Sequence, residues 1–334
     1  MTVRVGINGF GRIGRSVLRA ALSSDADVQV VAVNDITDVT TLATLLEWDS
    51  ISGHLDGVRV EDDAIIVGES RLRVFAQRDP SLIPGGEVGA DVVIESTGLF
   101  TEASAARQHL AGGARKVIIS APATGDVPAI VLGVNTGAID TDAHDVFSNG
   151  SCTTNCLAPM AQVLNDAFGI ESGLMTTVHA YTSDQRLHDA PHSDLRRARA
   201  AAMSTIPTSS GAARTIGKVI PELAGKLTGF ALRVPVPVGS ITDLTAVLTR
   251  PASIEDVNAA FRAAAGSPEL SHYLQYSQAP LVSSDIVGNP HSAIFDAPLT
   301  QVAGAQVKIL AWYDNEWGFS HRLVELAGLV GPRG

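Results

Sequence analysis

The sequence predicts an α/β protein made of a doubly wound, mostly parallel sheet followed by an α+β domain with a mostly antiparallel sheet. Three observations support this fold class. The first half alternates short apolar runs with helical patterns, as parallel sheets with crossover helices do. The second half carries runs in which polar and apolar residues alternate, which is typical of antiparallel strands with one solvated face. The length of 334 residues is sufficient for two domains, each with its own core.

The first half contains a regular succession of predicted elements. Its predicted strands are Val3–Ile7, Val28–Val33, Ala64–Val67, Leu72–Phe75, Asp91–Glu95, Lys116–Ser120, Ala129–Val134 and Ala143–Phe147. Its predicted helices are Arg12–Leu22, Asp38–Leu46 and Ala103–Ala111.

A glycine-rich turn with the pattern G-x-G-x-x-G joins the first strand to the first helix. Its glycines are Gly9, Gly11 and Gly14, and an acid, Asp35, ends the next strand 21 residues after Gly14. Such a turn lets the backbone approach a pyrophosphate at a helix N-terminus, while the acid accepts hydrogens from a ribose diol. The combination predicts a dinucleotide-binding Rossmann domain. The alternative is a plain strand–turn–helix connection that needs glycine for its geometry.

Two further strand ends carry small polar residues that we expect to face a ligand. These are Ser96-Thr97-Gly98 and Ser120-Ala121-Pro122. Ligand crevices in open α/β sheets lie at the carboxyl ends of the strands. Arg78, in the loop after Phe75, is a candidate for the adenine side or simply a solvated arginine.

The stretch from Ser148 to Cys156 indicates a reactive cysteine. Asn149-Gly150 predicts a tight turn, and a helix is predicted from Ser151 or Cys152 to about Phe168. Unpaired N–H groups and the positive end of the helix dipole would then meet at Cys152 and favour its thiolate. The alternative, a buried structural cysteine, fits poorly with the hydroxyls on either side. We therefore predict a nucleophile with a depressed pKa.

The second cysteine, Cys156, lies one helical turn further on, beside Leu157, and is predicted to be a core thiol. Two cysteines four residues apart on one helix are poorly placed to bridge each other. With no other cysteine in the chain, a disulfide framework is absent and a reducing cytoplasm fits best.

After this helix the pattern changes. The predicted strands are Leu174–His179, Gly229–Val236, Ile241–Thr249 and Gln306–Tyr313, and the predicted helices are Ile254–Ala265 and Glu316–Leu329. A polar loop of about 25 residues spans Ala180–Ser204, and loops of that length are usually functional or disordered. Pro207–Gly211 leads into a further short helix. The predicted domains are residues 1–150 together with 316–334, and residues 151–315.

The net charge, the apolar stretches and the spacing of the histidines argue against several functions. A net charge of −11 argues against a nucleic acid as partner. Met1–Val5 lack the features of a signal peptide, and no apolar stretch is long enough to span a membrane. The histidines are scattered without metal-ligand spacing. We therefore expect the protein to have no nucleic-acid partner, no association with a membrane and no bound metal ion.

Several motifs together resemble one family over the whole chain. They are NGFGRIGR, SNGSCTTNCLAP, TVHAYTSDQ, DLRRARAAA, IPTSSGAA, RVPVPV and WYDNEWGFS. They resemble the phosphorylating glyceraldehyde-3-phosphate dehydrogenases. The resemblance implies a glycolytic homotetramer with a Rossmann domain and a catalytic domain, with NAD as cofactor and with glyceraldehyde 3-phosphate and inorganic phosphate as substrates.

The resemblance also implies roles for individual residues. Cys152 would be the nucleophile and His179 its partner, with reaction through a thiohemiacetal and a thioester. The residues implied for the attacking phosphate are Ser151, Thr153, Ser210 and Gly211, and those for substrate phosphate or phosphate ion are Thr182, Arg197 and Arg233. The implied NAD contacts are Arg12, Ile13, Asp35, Arg78, Ser120 and Asn315, in addition to the turn residues Gly9 and Gly11 and the loop residues Thr97 and Gly98.

The chain departs from the family pattern at four positions. Ser210 replaces a usual Thr, Phe319 a usual Tyr, Gly85 a common Trp, and Ala190 a usual Leu or Gly. None deletes a catalytic group, but they do not decide between a housekeeping copy and a specialised isoform. Two other functions remain as alternatives, namely an erythrose-4-phosphate dehydrogenase and a binding protein that senses oxidants through Cys152.

Overall fold

The computed structural model describes residues 2–332, which divide into two compact units. The first comprises the chain up to Ile130, Gly137–Gly150, and the chain from Ser320 onward. The second comprises Val131–Thr136 and Ser151–Phe319. Two short segments that the sequence analysis assigned to the first domain, residues 131–136 and 316–319, thus belong to the second unit.

The first unit contains most of the predicted strand–helix alternation. Its strands are β1 (Val3–Asn8), β2 (Val28–Asn34), β3 (Trp48–Asp49), β4 (Gly53–His54), β5 (Val58–Glu61), β6 (Ala64–Val67), β7 (Ser70–Phe75), β8 (Val92–Glu95), β9 (Lys116–Ile119) and β10 (Val146–Ser148). Its helices are α1 (Arg12–Ser23), α2 (Val39–Glu47), α3 (Ala103–Ala106) and α4 (Gln108–Ala111). The start of α2 follows from local chemistry, because the Asp38 side chain accepts from the Thr41 N–H and caps the helix.

The main sheet of this unit has the order β10-β9-β8-β1-β2-β7-β6-β5. The pairs from β10 to β7 are parallel, and β7–β6 and β6–β5 are antiparallel. The strand order reverses at β1, which lies between β2 and β8 and whose Asn8 pairs with Asn34 and Glu95. Open α/β sheets bind ligands at such reversal points. The predicted doubly wound sheet is therefore confirmed.

The predicted strand Ala129–Val134 is wrong. Only Ala129 forms an isolated bridge, to Ser148, and the chain then turns. The N–H of Val131 donates to the side-chain oxygen of Asn135 at 2.7 Å, and Gly133 has a φ of +86°. These local polar contacts and the left-handed glycine override the apolar run on which the prediction rested.

Two other predicted elements are shorter than expected. The strand predicted at Ala143–Phe147 begins only at Val146, because the Asp140 carboxylate accepts from two later N–H groups and holds a turn. The helix predicted at Ala103–Ala111 is divided at Arg107 into α3 and α4.

The second unit is built on a mixed sheet. Its strands are β11 (Ile170–Ala180), β12 (Ile206–Ser209), β13 (Leu227–Val234), β14 (Ser240–Leu248), β15 (Leu274–Ser277), β16 (Ala293–Asp296), β17 (Gln301–Ala303) and β18 (Gln306–Tyr313). Its helices are α5 (Cys152–Phe168), α6 (Ala212–Val219) and α7 (Ile254–Ala265), and α8 (Trp317–Val330) begins here and continues in the first unit. The short strands β12, β15, β16 and β17 were not predicted.

The strand order of this sheet is β12-β13-β11-β14-β18-β16-β15, with β17 paired to β18. Most pairs are antiparallel, as predicted. The pairs β11–β13 and β15–β16 are parallel, so the expectation that β13 alternates antiparallel holds only for its β12 side. Helix α5 packs against β11, β14, β16 and β18. This packing carries the start of α5 to the functional residues described below.

Among residues 2–332, none of the helices combines the length and the apolar character needed to cross a membrane.

A stacked aromatic pair forms part of the core of the second unit. Phe261 of α7 lies on Phe295 of β16, with ring centroids 3.9 Å apart and ring planes 4° from parallel. Both side chains are fully buried. The pair fixes α7 to β16 through apolar burial and a favourable aromatic contact.

We predict that Phe261→Ala lowers the free energy of unfolding by about 3–5 kcal/mol, because it removes a buried ring and leaves a cavity. Urea denaturation followed by circular dichroism measures the loss. Ile254→Ala, on the same helix but at an exposed position, is the matched control and should cost far less. Equal losses in the free energy of unfolding for the two variants would show that the stacked pair does not contribute more than an exposed side chain of the same helix.

Candidate active site

The start of α5 places the thiol of Cys152. Ser151 has extended backbone geometry and caps the helix, because its Oγ accepts from the Thr154 N–H at 3.1 Å. Cys152 is therefore the first helical residue, and the thiol lies near the N–H groups of Cys152 and Thr153. It is half-buried. The sequence prediction of a cysteine at this helix start is confirmed.

His179, near the end of β11, faces this thiol. Its Nε2 lies 3.4 Å from the Sγ of Cys152, and the imidazole is buried. Its Nδ1 lies 2.6 Å from the carbonyl oxygen of Ala180. A carbonyl only accepts, so Nδ1 carries the hydrogen and Nε2 is left as an acceptor toward the thiol. Nη1 of Arg233 also lies 3.0 Å from Nδ1, but its two hydrogens have acceptors in the Ala180 carbonyl and the Thr182 hydroxyl. This assignment rests on the hydrogen-bond partners of the ring.

The protonation of this pair differs from the prediction. Burial, reinforced by the positive charge of Arg233, lowers the pKa of His179 to about 3. Burial also raises the pKa of the Cys152 thiol, although Arg233 and the N–H groups at the helix start oppose that effect. The predicted depressed pKa of Cys152 is thus wrong, because desolvation outweighs the helix terminus. The geometry instead fits a neutral thiol that donates to a neutral imidazole.

Arg233 lies beside His179 and links it to the long loop. Its Nη1 donates to the carbonyl of Ala180 at 3.1 Å and to the hydroxyl of Thr182 at 2.9 Å. Its Nε is buried and has no hydrogen-bond partner among residues 2–332. A buried guanidinium N–H without an acceptor is costly, so this nitrogen is suited to an anion that the protein itself does not supply.

Arg197 extends the same network. Its Nη1 lies 2.6 Å from Oδ2 of Asp184, and its Nε donates to Oγ1 of Thr208 at 2.9 Å. Thr182 also donates to Asp184. Although burial acts to raise it, the hydrogen bond from Thr182 and the charge of Arg197 hold the pKa of Asp184 below its ordinary value. Thr182, Arg197 and Arg233 therefore form one connected group around Asp184.

The remaining predicted phosphate residues have local partners. The hydroxyl of Thr153 lies 2.8 Å from that of Tyr313, which lies 2.8 Å from that of Thr177. Ser210 accepts weakly from the Ala212 N–H at 3.3 Å, at the start of α6. Gly211 precedes α6, and a Cβ built on it would touch nothing within 4 Å. The structure thus gives Ser210 and Gly211 an open helix start, but no contact with Cys152.

The predicted nucleotide residues surround a cavity of the first unit. Its volume is about 320 Å³, and its walls include Gly9, Gly11, Asp35, Arg78 and Thr97. The walls are completed by Asn8, Asn34, Ile36, Gln77, Ser96, Leu99 and Phe100. The turn is tightly built, because a Cβ on Gly9, which has a φ of +90°, would lie 2.7 Å from the Thr97 nitrogen. The Asp35 carboxylate holds this turn by accepting from the Phe10 N–H at 2.8 Å.

Other predicted cofactor contacts do not line this cavity. Ile13, Gly98 and Ser120 lie outside its walls, and the guanidinium of Arg12 lies 2.5 Å from Oδ2 of Asp49. Asn315 is in the second unit, where its side-chain oxygen accepts from the Gly239 N–H and the Ser240 hydroxyl. No residue within 2–332 accepts from its amide nitrogen, so that group remains available to a ligand.

Several residues of these sites were missed. Tyr313 lies in the quoted motif WYDNEWGFS, yet a single tyrosine in a strand pattern gives no sign of its hydroxyl contacts. Asp184 lies in TVHAYTSDQ beside the predicted Thr182. Glu95, which accepts hydrogen bonds from Asn8 and Thr97 of the cavity wall, ends an apolar strand, a position at which a buried charge could have been suspected. In the part of the chain that the structure describes, no three His, Cys, Asp or Glu side chains are grouped to hold a metal ion.

Cys156 has the environment predicted for a core thiol. It is fully buried and lies 3.6 Å from the carbonyl of Ala311 and 3.8 Å from the sulfur of Met160. Burial raises the pKa of Cys156 to about 12. Of the two cysteines, only Cys152 is therefore both accessible and adjacent to a base.

We predict that iodoacetamide alkylates Cys152 at a rate that still rises by about tenfold per pH unit between pH 7 and 8.5. Burial raises the pKa of Cys152, so the reactive thiolate is a minor form that increases with pH until that pKa is reached. The rate is measured on Cys156→Ser, which isolates the one thiol. A rate that is already constant above pH 7 would mean that the helix terminus and Arg233 outweigh burial.

Comparison with known proteins agrees with this geometry. A family model described as the glyceraldehyde 3-phosphate dehydrogenase NAD binding domain matches residues 3–103, and one described as the C-terminal domain of the same enzyme matches residues 151–315. The chain is 59% identical over 332 residues to glyceraldehyde-3-phosphate dehydrogenase 2 of Streptomyces arenae, with 99% of each chain covered. It is also 59% identical over 338 residues to the glyceraldehyde-3-phosphate dehydrogenases of Mycobacterium avium and Mycobacterium tuberculosis, again with 99% of each chain covered. These matches span both units, and the chain therefore belongs to the glyceraldehyde-3-phosphate dehydrogenase family.

Proposed function

We propose that the protein catalyses the NAD-dependent, phosphorylating oxidation of D-glyceraldehyde 3-phosphate to 1,3-bisphosphoglycerate in glycolysis. The observation that carries the proposal is the 3.4 Å contact between the Cys152 sulfur and Nε2 of His179, whose other nitrogen is held by Ala180. It joins a nucleophile to a base of fixed tautomer. The identity to named dehydrogenases over the full length supports the substrate.

The first step forms a bond between the Cys152 sulfur and the aldehyde carbon. The thiol proton passes by way of Nε2 of His179 to the aldehyde oxygen, and the product is a thiohemiacetal. The N–H of Cys152 at the start of α5 supports this step, because a helix N-terminus stabilises developing negative charge on oxygen. The adjacent guanidinium of Arg233 adds positive charge.

The second step converts the thiohemiacetal to a thioester. Nε2 of His179 takes the hydroxyl proton while the carbon loses a hydride. The low pKa of His179, about 3, means that the imidazole is uncharged before this step and free to accept. The carbonyl of Ala180 then stabilises the charged ring through its bond to Nδ1–H.

The third step uses inorganic phosphate. A phosphate oxygen bonds to the thioester carbon, the carbon–sulfur bond breaks, and Cys152 regains the proton from His179. The acyl phosphate leaves. We assign Arg233, Arg197 and Thr182 to the phosphate groups of the substrates, together with Ser151, Ser210, Gly211 and the backbone of Thr153. The unpartnered Nε of Arg233 supports this assignment.

NAD is the cofactor, and the residues present fit it. A Cβ on Gly11 would meet nothing within 4 Å, so the backbone of the turn is open to the cavity. Each Asp35 oxygen accepts one backbone N–H and keeps capacity for a ribose hydroxyl. The free amide nitrogen of Asn315 would hold the carboxamide of the nicotinamide. When bound, NAD supplies the hydride acceptor.

We also propose that the protein is a cytoplasmic homotetramer without nucleic-acid or membrane partners. The long loop between β11 and β12 supports the assembly. It exposes the apolar side chains of Leu187, Leu195 and Met203, each more than 70% accessible in the single chain. Patches of exposed apolar side chains are typical of subunit interfaces.

We predict that the purified protein reduces NAD with glyceraldehyde 3-phosphate only when inorganic phosphate is present, as followed by NADH absorbance. Cys152→Ser should abolish turnover, and Cys156→Ser is the matched control that keeps it. Sustained turnover without phosphate would instead indicate a hydrolytic enzyme. A higher kcat/KM with erythrose 4-phosphate would support that alternative substrate.

We predict a kcat/KM preference for NAD over NADP of at least about 10²-fold, because the Asp35 carboxylate would repel a 2′-phosphate. Asp35→Asn removes the charge but keeps an acceptor for a backbone N–H, so it should reduce the preference with a modest loss of NAD affinity. Asp35→Ala should lose more NAD affinity, because the N–H groups of Phe10 and Thr37 both lose their acceptor. An unchanged preference in Asp35→Asn would place cofactor selection elsewhere.

A further inference from the structure

A buried carboxylate beneath the nucleotide cavity is not used by the proposed chemistry. Glu95 ends β8 and is only 1% exposed. Its Oε2 accepts from Nδ2 of Asn8 at 2.6 Å and from Nε2 of His109 at 2.9 Å. Its Oε1 accepts from the N–H of Thr97 at 2.8 Å and from the Thr97 hydroxyl at 2.5 Å. Both oxygens are thus acceptors only.

The hydrogen-bond direction along this chain is set by the backbone of Gln77. Its N–H donates to Oδ1 of Asn34, and its carbonyl accepts from Nδ2 of Asn34. The amide of Asn34 cannot flip without losing both bonds. Nδ2 of Asn34 also donates to Oδ1 of Asn8 at 2.7 Å, so Asn8 must present its own Nδ2 to Glu95.

The opposite end is fixed in the same way. The Thr97 N–H can only donate, so Oε1 of Glu95 must accept. His109, which is 2% exposed, completes the site from α4. Its Nδ1 is buried without a hydrogen-bond partner among residues 2–332, so Glu95 provides its only hydrogen bond apart from a 3.5 Å approach to Asn8. A side chain that accepts on both oxygens is therefore required at position 95.

Residues of the hydrogen-bonded chain that leads to Glu95 line the cavity. Asn8, Asn34, Gln77 and Thr97 line it, and we term these four residues the cavity floor. Glu95 itself does not line it. A shift of Thr97 would also disturb the turn, because Gly9 approaches the Thr97 nitrogen too closely to admit a Cβ.

We propose that Glu95, supported by His109, is a positioning residue that holds the cavity floor in the geometry that binds the adenosine diphosphate part of NAD. The proposal rests on the proposed use of NAD. Glutamine at position 95 has the same shape, but one of its ends must donate. The NH2 group of the glutamine would point either at Asn8 and His109 or at Thr97. In either orientation, at least one buried donor would lose its acceptor.

We expect Glu95→Gln to weaken binding of both NAD and ADP-ribose by at least about tenfold, equivalent to about 1.4 kcal/mol, in calorimetry of the full-length protein. KM for NAD should rise by a similar factor, with KM for the aldehyde phosphate within about twofold. ADP-ribose lacks the nicotinamide, so an equal loss locates the defect in the first unit. Ile65→Ala, a buried truncation on β6, is the control for destabilisation alone.

His109 supplies a second, independent pair of variants. His109→Gln keeps a donor for Oε2, whereas His109→Leu removes it. We expect His109→Leu to bind ADP-ribose several-fold more weakly than His109→Gln. This pair decides the proposal if Glu95→Gln does not fold.

Two results would overturn the proposal. One is a Glu95→Gln protein that melts at a lower temperature, as Ile65→Ala does, but binds both ligands within about twofold of the unmodified protein. The other, where that variant does not fold, is equal affinity in the two His109 variants. Absence of aldehyde oxidation by the unmodified protein would refute the proposed reaction instead, and leaves these binding measurements interpretable.

Discussion

The contact between Cys152 and Nε2 of His179 is the interaction on which the proposed chemistry of the second unit depends. It requires that the imidazole present an unprotonated nitrogen to the thiol, and the carbonyl of Ala180 enforces this by taking the hydrogen on Nδ1. The parallel register of β11 and β13 pairs His179 with Arg233 directly. The same strand pairing that departs from the predicted antiparallel arrangement thus brings the guanidinium to the base.

Burial and charge act against each other at this pair. Removal from water favours the neutral thiol and the neutral imidazole, while Arg233 favours the thiolate and disfavours the imidazolium. Arg233 therefore pushes the proton off both groups. In the proposed reaction, the aldehyde oxygen of the substrate accepts the proton that leaves the thiol. The arrangement explains how a cysteine of raised pKa can serve as a nucleophile without existing as a thiolate beforehand.

Local chemistry made much of the fold predictable. The Asp38 cap, the glycine turn after β1 and the alternating pattern of β14 and β18 each act within a few residues, so the sequence displays them. What escaped prediction depends on distant partners. The hydroxyl of Tyr313 meets Thr153 and Thr177, which lie 160 and 136 residues away. The pKa of Cys152 depends on burial by the whole unit, and no motif reports how much water a fold removes.

Both polar networks are oriented by backbone atoms rather than by side chains alone. The carbonyl of Ala180 fixes the tautomer of His179, and the N–H and carbonyl of Gln77 fix the direction of the chain through Asn34 and Asn8 to Glu95. A backbone group cannot exchange donor for acceptor, whereas an amide, a hydroxyl or an imidazole can. In each network such a group therefore sets the orientation of the side chain that it contacts. A ligand that enters either site therefore meets donors and acceptors that are already arranged, and the cost of ordering them is met during folding rather than during binding.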